Sequence, residues 1–398
     1  MSTPSPHQGW NITEVQREIY RQRSKASSRA KKQALNGEGQ KPIHPINIPN
    51  LNPEKLMPQM PKNKWRTLSL FSGGGGLDLG FDRAGFTHIA SYDILIEAGN
   101  TLRNLRPEWQ IFSGEKGDVK KVDWRSYRGS VDIIHGGPPC QPFSVAGRQK
   151  GKEDNRDMFP EFIRAVLEIK PIIFVAENVT ALISKKFGKY VQEVIESPLA
   201  PYYKITKFIL NAPDFGIPQI RKRVFFVGFR DEKYFAKYQL PKSTHYWHHL
   251  SKGESTKPLQ LNLFNNYETL EELQPSMGTR EALGLPNIGF DALSPTLRSG
   301  LTGPRHTTSI LSSVSAQKAW EKLHIWPNGV AENREKAHLF VAKNSHFRLS
   351  VPDCGILQGF PESWQFSGAV YQALGQIGNA VPPPIAYQIA ISIAQVFS

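Results

Sequence analysis

One cysteine, one glutamate and two arginines of this chain stand next to apolar runs, in a pattern that suits nucleophilic catalysis. Cys140 follows the run 131–135 and two prolines, at the end of a strand where open α/β sheets place their sites. The prolines would hold the thiol in one direction, as an attacking group requires. The alternative is a small core hydrophobe, which is the commoner role of a lone cysteine.

Glu177 and the pair Arg221 and Arg223 are the candidates to act beside that nucleophile. Glu177 follows the apolar strand predicted at 171–176, where desolvation would raise its pKa and let it donate a proton near neutrality. The alternative is a buried structural ion pair. Arg221 and Arg223 enter the strand predicted at 224–229. Because alternate residues of a strand share a face, one or both could reach the cleft of Glu177.

A cofactor-type turn is the first element that would position these groups. The predicted strand 67–71 runs into Ser72-Gly73-Gly74-Gly75-Gly76 and then into an amphipathic helix near 77–84. Glycines let a ligand approach the backbone, and the helix N-terminus offers free N–H groups. The alternative is a purely structural tight turn.

Two carboxylates follow the turn. Asp93 ends the strand predicted at 87–92, about 20 residues beyond the glycines, where it could accept bonds from both ribose hydroxyls. Gly117-Asp118 is expected just before the third strand, in a loop at the strand edge. Because the motif G-x-x-x-x-G-K-[ST] is not at this turn, the expected ligand is a nucleoside without a triphosphate.

The composition excludes several classes of protein. The 398 residues are 39% hydrophobic, with 49 Lys+Arg against 35 Asp+Glu and a formal net charge of +14. This length predicts two domains, or one large domain with an insertion. No run approaches the roughly 20 apolar residues of a membrane span, no apolar signal region is expected, and two cysteines exclude a disulfide framework. We expect a soluble protein of a reducing compartment that binds a polyanion.

Half of the excess charge lies near the N-terminus. Residues 1–65 carry a net charge of +7, and a helix is predicted from about 14 to 35. It is either a phosphate-binding arm or a solvated helix. The proline-rich residues 42–63 are predicted to be an extended linker or a strap over a domain surface. Deleting residues 1–60 is therefore expected to flatten the salt dependence of binding and to spare sequence specificity.

The motifs together resemble one family. They are FSGGGG, Asp93, Gly117-Asp118, PCQ, ENV, QxRxR and GNAV, in that order over residues 67–381. The sequence resembles the DNA (cytosine-5)-methyltransferases of bacterial restriction–modification systems. The resemblance implies an α/β fold: a Rossmann-like S-adenosylmethionine-dependent catalytic domain with a smaller, mostly irregular target-recognition domain. The expected boundaries are an arm and linker at 1–64, the catalytic domain at 65–235, the recognition domain at 236–346 and a returning segment at 347–398.

The resemblance also implies the chemistry. Cys140 would add to C6 of a cytosine flipped out of duplex DNA while Glu177 protonates or hydrogen-bonds N3. C5 would then take the methyl group of S-adenosylmethionine. Arg223 would pair with Glu177, with Arg221 as its companion. The cofactor-binding positions would be Phe71, Ser72, Gly73, Gly75, Asp93, Ile94, Asp118, Pro138, Asn379 and Ala380. DNA contacts would be Ser144, Arg148, Arg156, Arg298 and Arg305.

Further expectations come with the resemblance. They are a cytoplasmic, DNA-associated monomer that needs no metal, acts on double-stranded DNA and works beside a restriction endonuclease. Some positions depart from the family pattern. The segment before LQGFP usually carries Arg-Glu and a further Arg, and Pro352-Asp353 and Ile356 stand there instead. In the family that segment packs the target-recognition region, which we call the reading region. The departures therefore put the packing support of the reading region in question.

The reading region itself is weakly marked. Residues 240–346 have a net charge of only +2, and a polar, basic patch spans 294–308. Arg298 and Arg305 in this patch could contact bases or phosphates, and a solvated glycine-rich loop is the alternative. Cys354 is assigned to the core, and His245, His248 and His249 are interpreted as surface histidines, because no further ligands at metal-site spacing accompany them.

Two other functions remain open at this point. An RNA cytosine-5 methyltransferase would share the fold, although the chain lacks the Cys-Phe-Thr signature of the tRNA enzymes. A non-catalytic DNA-binding protein on a degenerate scaffold is the second. An amino-methylating enzyme would show D/N/S-P-P-Y/F/W in place of Pro-Pro-Cys, and the chain does not contain it.

Overall fold

The computed structural model describes residues 13–15, 18, 21, 22, 25 and 29, and then 45–139, 157–247, 273–299, 308–339 and 346–398. A seven-stranded sheet is at the centre of the described residues, in the order β3-β2-β1-β4-β5-β7-β6. Its strands are β1 (Arg66–Leu70), β2 (Thr87–Asp93), β3 (Gln110–Ser113), β4 (Ile133–Gly136), β5 (Ile173–Val179), β6 (Lys204–Asn211) and β7 (Lys222–Phe229). All adjacent pairs are parallel except those of β7, which runs antiparallel to β5 and β6.

Helices cover both faces of the sheet. The described residues form the helices α1 (Gly76–Arg83), α2 (Ile96–Leu105), α3 (Phe159–Ile169), α4 (Gly188–Tyr190), α5 (Ser197–Leu199), α6 (Glu232–Lys237), α7 (Thr279–Ala282), α8 (Val314–Lys322), α9 (Arg334–His338), α10 (Val351–Gln358), α11 (Val370–Asn379) and α12 (Pro383–Val396). A π-helical turn, Val191–Glu196, joins α4 to α5. The C-terminal α12 packs on α1, where a side chain on Gly80 would stand 2.5 Å from the Ala386 methyl. The returning C-terminal segment thereby completes the core on that face.

The α/β, Rossmann-like fold predicted from the motifs is confirmed. The central strands form from short apolar runs because both of their faces are buried. The expectation for the third strand was wrong. The strand β3 lies before Gly117-Asp118, and these two residues follow it in 3-10 turns. Only Ile111 and Phe112 of this edge strand are apolar, so its sequence gives little signal.

The reading region has a separate core and little regular structure. Besides α7, α8 and α9, its described residues form the short parallel pairs β8 (His245–Tyr246) with β9 (Gln274–Pro275), and β10 (Ile325–Ala331) with β11 (Phe347–Ser350). Its buried side chains include Leu297, Trp320 and Leu349, together with Cys354, which is fully buried as expected. The other described residues of this region are irregular chain held by hydrogen bonds.

Residues 45–63, which we call the strap, lie along the surface of both halves. Of the two predictions for this proline-rich segment, the structure shows the strap. Leu51 is buried in the core of the reading region and Met57 in a core that packs on the seven-stranded sheet. Further towards the N-terminus, the described residues of the predicted helix, from Glu14 to Arg29, are helical and exposed. No helix among the described residues is long and apolar enough to span a membrane.

Candidate active site

The carboxyl ends of β1 to β5, which we call the catalytic edge, bring together several of the predicted site residues that the structure describes, among them Phe71, Asp93 and Glu177. At the end of β1 the chain turns through Phe71 and Gly73, both with positive φ (57° and 52°). The Asp93 carboxylate at the end of β2 accepts the Gly73 N–H at 2.7 Å and the Leu95 N–H at 2.8 Å. Burial raises its pKa while these two bonds lower it. The glycine turn and Asp93 are therefore one unit.

Open space lies beside this unit. A side chain on Gly73 would meet no atom within 4 Å, and Ile94 is 59% exposed. On the other side, a Cβ on Gly117 would stand 2.1 Å from the Asp93 carbonyl oxygen, so Gly117 lets the β3 loop carry Asp118 close to Asp93. Carboxylates and backbone around a glycine cradle suit a ribose-bearing ligand.

The other glycines of the turn serve packing. A Cβ on Gly76 would stand 2.1 Å from the Val381 carbonyl oxygen, and one on Gly75 would stand 2.9 Å from the Trp364 ring. The Trp364 indole N–H donates to the Gly74 carbonyl oxygen at 2.9 Å. Trp364 is not among the residues predicted from the sequence, because one tryptophan a few residues after GFP carries no recognisable signal. The C-terminal segment thus fixes the back of the turn.

Glu177 and Arg223 form a buried ion pair at the end of β5. Arg223 Nε lies 2.9 Å from Glu177 Oε1, and their side chains are 12% and 8% exposed. The antiparallel register pairs Val179 with Arg223 and places the arginine beside the glutamate. Burial raises the pKa of Glu177, and Arg223 and Arg221 oppose that rise.

The loop that leads to Cys140 lies against this pair. A Cβ on Gly137 would be 2.9 Å from Glu177 Oε2, and the Asn178 amide donates to the Pro138 carbonyl oxygen at 3.1 Å. The description of this loop ends at Pro139. Five predicted site residues lie outside the described residues: Cys140, Ser144, Arg148, Arg156 and Arg305.

Arg221 has different contacts from Arg223. Its side chain is fully buried, and Nη2 donates to the carbonyl oxygens of Gly378 and Ala380 at 2.9 and 2.7 Å. Asn379, between these two acceptors, is exposed. Of the two arginines, Arg223 contacts the Glu177 carboxylate, whereas Arg221 fixes the GNAV backbone and acts on Glu177 through its charge.

A buried pair of glutamines extends this network to the reading region. The Gln219 amide donates to Gln358 Oε1 at 2.8 Å, and the Gln358 amide donates to the Ala380 carbonyl oxygen at 2.7 Å. Gln219 Oε1 accepts the Leu297 N–H at 3.2 Å. Both glutamines stood in quoted motifs, but nothing in the sequence showed that they touch.

The first half of the predicted reading patch lies beside this network. Ser294 and Ile220 are joined by a backbone hydrogen bond of 2.8 Å, and a Cβ on Gly378 would stand 2.5 Å from the Ser299 N atom. Arg298, between these contacts, is half-buried. The segment 294–299 is therefore packed between the QxRxR and GNAV motifs.

Comparison with known proteins identifies the family. A model of the C-5 cytosine-specific DNA methylases matches residues 65–395. The chain belongs to this family. The Type II methyltransferase M.NgoMIV of Neisseria gonorrhoeae is 33% identical over 333 residues, which are 83% of this chain and 97% of the relative. M.PspPI of Psychrobacter sp. (strain TA137) is 31% identical over 358 residues, covering 85% and 81%.

Solved structures share the methylase fold at lower identity. A putative DNA modification methyltransferase from an E. coli prophage matches with a TM-score of 0.50 and 22% identity, over 84% of this chain and 99% of that one. The Entamoeba histolytica methyltransferase EhMeth matches with a TM-score of 0.53 and 16% identity, over 85% and 100%. The family stated from the motifs is confirmed, and with it DNA cytosine-5 methylation.

The histidines of the methylase are the residues to consider as metal ligands. In the part of the chain that the structure describes, no group of three or more His, Cys, Asp or Glu side chains could hold a metal ion. His245 Nδ1 lies 2.8 Å from the Thr244 hydroxyl, while His248 and His249 lie outside the described residues.

Proposed function

We propose that this methylase transfers a methyl group from S-adenosylmethionine to C5 of a cytosine flipped out of duplex DNA, through a covalent adduct of Cys140. The observation that carries the proposal is the buried Glu177–Arg223 pair beside Gly137. A carboxyl with a raised pKa, held by a guanidinium, suits an acid at a ring nitrogen. It lies against the loop that leads, one residue after Pro139, to the nucleophile.

The proposed reaction begins with an attack on C6 of the cytosine. The Cys140 thiolate forms a bond from Sγ to C6, and the Glu177 carboxyl hydrogen-bonds or protonates N3, so that electron density collects at C5. When bound, S-adenosylmethionine supplies a methyl group on a sulfonium, and S-adenosylhomocysteine is the product. C5 forms a bond to the methyl carbon as the bond from that carbon to sulfur breaks. A base then removes the C5 proton, the electron pair of that C–H bond forms the C5–C6 double bond, and the Sγ–C6 bond breaks. The thiolate leaves, and any proton on N3 returns to Glu177. Because C6 is shielded within a stacked duplex, the base must first leave the helix.

The cofactor is proposed to lie in the cradle at the catalytic edge. Asp93 and Asp118 would accept bonds from the ligand, and the open space at Gly73 would take its atoms. Phe71, Ser72, Gly75, Ile94, Pro138, Asn379 and Ala380 complete the proposed set. We propose that the reaction needs no metal.

The DNA contacts are proposed to be Ser144, Arg148, Arg156, Arg298 and Arg305. Packing of 294–299 against the catalytic network supports Arg298. Because the relatives are named Type II methyltransferases, we propose that this enzyme protects DNA from a partner restriction endonuclease. We propose that it acts as a monomer in the bacterial cytoplasm.

The test begins with mapping 5-methylcytosine in DNA from cells that express the protein. A duplex oligonucleotide with that site then carries 5-fluorocytosine at the methylated position, where no C5 proton can leave. With S-adenosylmethionine present, we expect a covalent protein–DNA species whose mass is that of the protein, the oligonucleotide and the transferred methyl group together. Cys140→Ser should not form this species. Methyl transfer to tRNA but not to duplex DNA, or an adduct that survives Cys140→Ser, would contradict the proposal.

A further inference from the structure

The strap lies outside the part of the chain that the family model matches, since that match begins at residue 65. Nevertheless four of its residues, Asn47, Leu51, Pro53 and Met57, are buried like core residues, although most of the strap is exposed. Asn47 is 6% exposed, and its amide donates to the Leu283 carbonyl oxygen and to Asp353 Oδ1, both at 3.0 Å. A buried amide with two satisfied bonds is a specific contact rather than a loose covering.

Asp353 is the centre of this contact. It is fully buried at the start of α10 and accepts the Ser350 N–H at 2.9 Å and the Ser350 hydroxyl at 2.6 Å. Arg334, from α9 of the reading region, donates its Nε–H to Asp353 Oδ1 at 2.9 Å and also pairs with Glu362. Asp353 therefore joins the strap, the reading region and the C-terminal segment.

This network stands where the family pattern would place Arg-Glu and a further Arg. Asp353 supplies a carboxylate there, and the cation comes from the reading region as Arg334. Asn47 supplies a second donor from outside the matched residues. Asp353, Arg334 and Asn47 therefore support the reading region at the place where the sequence departs from the family pattern.

The rest of the strap is anchored on both halves. The N–H groups of Asn50 and Leu51 donate to the Ala282 carbonyl oxygen at 3.0 and 3.1 Å. A Cβ on Gly284 would stand 1.9 Å from the Ile48 carbonyl oxygen, so these two backbones are in close contact. On the catalytic side, the Met60 N–H donates to the Arg83 carbonyl oxygen at 2.8 Å.

We propose that the strap positions the reading region against the catalytic edge, and that Asn47 is the residue that sets this position through Asp353. Leu51 of the strap shares a core with Leu297, which precedes Arg298. A displaced strap would therefore move the segment that is proposed to read DNA. DNA binding and site discrimination depend on this contact, whereas methyl transfer on bound DNA does not. This inference rests on the proposed function.

The test is Asn47→Asp in the full-length protein, with Asn52→Asp as the matched control. The first change keeps the shape of the side chain but turns a donor into a carboxylate facing Asp353. The second makes the same chemical change on the exposed side of the strap, where an aspartate can still accept the Glu54 N–H that Asn52 accepts at 3.0 Å. Asn47→Ala is measured as a milder variant if Asn47→Asp does not fold.

For Asn47→Asp we expect the KM for duplex DNA to rise about tenfold, because a buried polar contact is lost and a repulsion is added. The kcat at saturating DNA and the KM for S-adenosylmethionine should change less than about twofold. Discrimination against a site with one changed base should fall, and Asn52→Asp should match wild type in every parameter.

Two results would overturn the inference. One is an Asn47 variant whose KM for duplex DNA, and whose discrimination against a site with one changed base, equal those of Asn52→Asp. The other is a loss in kcat alone, with a lower thermal midpoint and an unchanged KM, which is the behaviour of a merely destabilised enzyme. Failure of the proposed function is separate, because wild type would then not methylate duplex DNA at all.

Discussion

The catalytic edge and the reading region are held together by different kinds of contact. At the catalytic edge, strand register does most of the positioning: the β5–β7 pairing sets Arg223 beside Glu177. In the reading region, side chains hold irregular backbone. Arg280 is 2% exposed and donates to the carbonyl oxygens of Leu323 and Pro286 at 2.7 and 2.6 Å. In the sheet, the regular pairing of strands fixes the position of site residues. In the reading region, individual side-chain hydrogen bonds hold the irregular backbone.

This difference has a consequence for substitutions. A change at the catalytic edge should remove chemistry and leave the frame intact, because close-packed cores on both faces hold the strands. A change at a bond of the reading region or the strap should alter affinity or stability and leave chemistry intact.

The largest effect is expected for Cys140→Ser. A serine hydroxyl is a far weaker nucleophile at neutral pH, so kcat should fall by at least about 10³-fold. The affinity for duplex DNA and the thermal midpoint should stay near those of wild type, as measured by fluorescence anisotropy and by thermal unfolding. Turnover at the wild-type rate would show that the chemistry of the catalytic edge has been assigned wrongly.

Glu177→Gln is expected to act next most strongly, lowering kcat by about 10²-fold as the proton donor is lost. Because burial raises the pKa of this carboxyl, it keeps its proton to a higher pH than an ordinary glutamate. The wild-type kcat/KM should therefore fall as the pH rises through that raised pKa, and the variant should lack this alkaline limb. Exposed Glu115→Gln is the control, and a variant with the wild-type alkaline limb would contradict the assignment.

Deleting residues 1–60 tests the other half of the comparison, because the structure shows that this cut also removes most of the strap. The deletion removes Asn47, Leu51 and Met57, which are 6%, 7% and 0% exposed, so it cannot spare the frame. Loss of a buried Met or Leu side chain costs about 2–5 kcal/mol each. We expect a lower free energy of unfolding by urea titration, of at least about 3 kcal/mol. An unchanged unfolding midpoint would show that the strap is dispensable.

The same contrast explains what the sequence could predict. Buried parallel strands are continuous apolar runs, so β1, β2, β4 and β5 were located to within a few residues, and their ends gave Asp93 and Glu177. Edge strands such as β3, with fewer apolar residues, were misplaced or missed. The contacts of Asn47 with Asp353 and of Gln219 with Gln358 join residues 306 and 139 positions apart. No local pattern encodes such pairs, so only the fold shows them.

Trp364→Phe tests one single-bond contact at the catalytic edge. The change keeps an aromatic ring against Gly75 but loses the bond to the Gly74 carbonyl oxygen, which should loosen the cofactor turn. We expect the Kd for S-adenosylmethionine to rise about fivefold, since a typical hydrogen bond contributes about 1 kcal/mol. The DNA affinity should be unchanged.

Trp320→Phe is the matched control for that change. Trp320 is fully buried in the reading region, and its indole N–H has no hydrogen-bond partner among the described residues. Isothermal titration of the cofactor should therefore separate the two variants. If both bind it equally well, the Trp364 bond does not position the turn.

The smallest effect is expected when the deletion stops at residue 44, before the strap begins. That cut removes the basic arm and leaves Asn47, Leu51 and Met57 in place. The arm carries eight Lys and Arg, and each phosphate contact that is lost lowers the slope of log K against log salt by about 0.9. If half of these charges contact phosphates, the slope should become shallower by about 3.6, while the methylated sequence and the urea midpoint stay as in wild type. A changed methylation site would mean that the arm takes part in reading. Agreement would separate two functions within the first 65 residues: charge that attracts DNA without specificity, and a strap that holds the reading region in place.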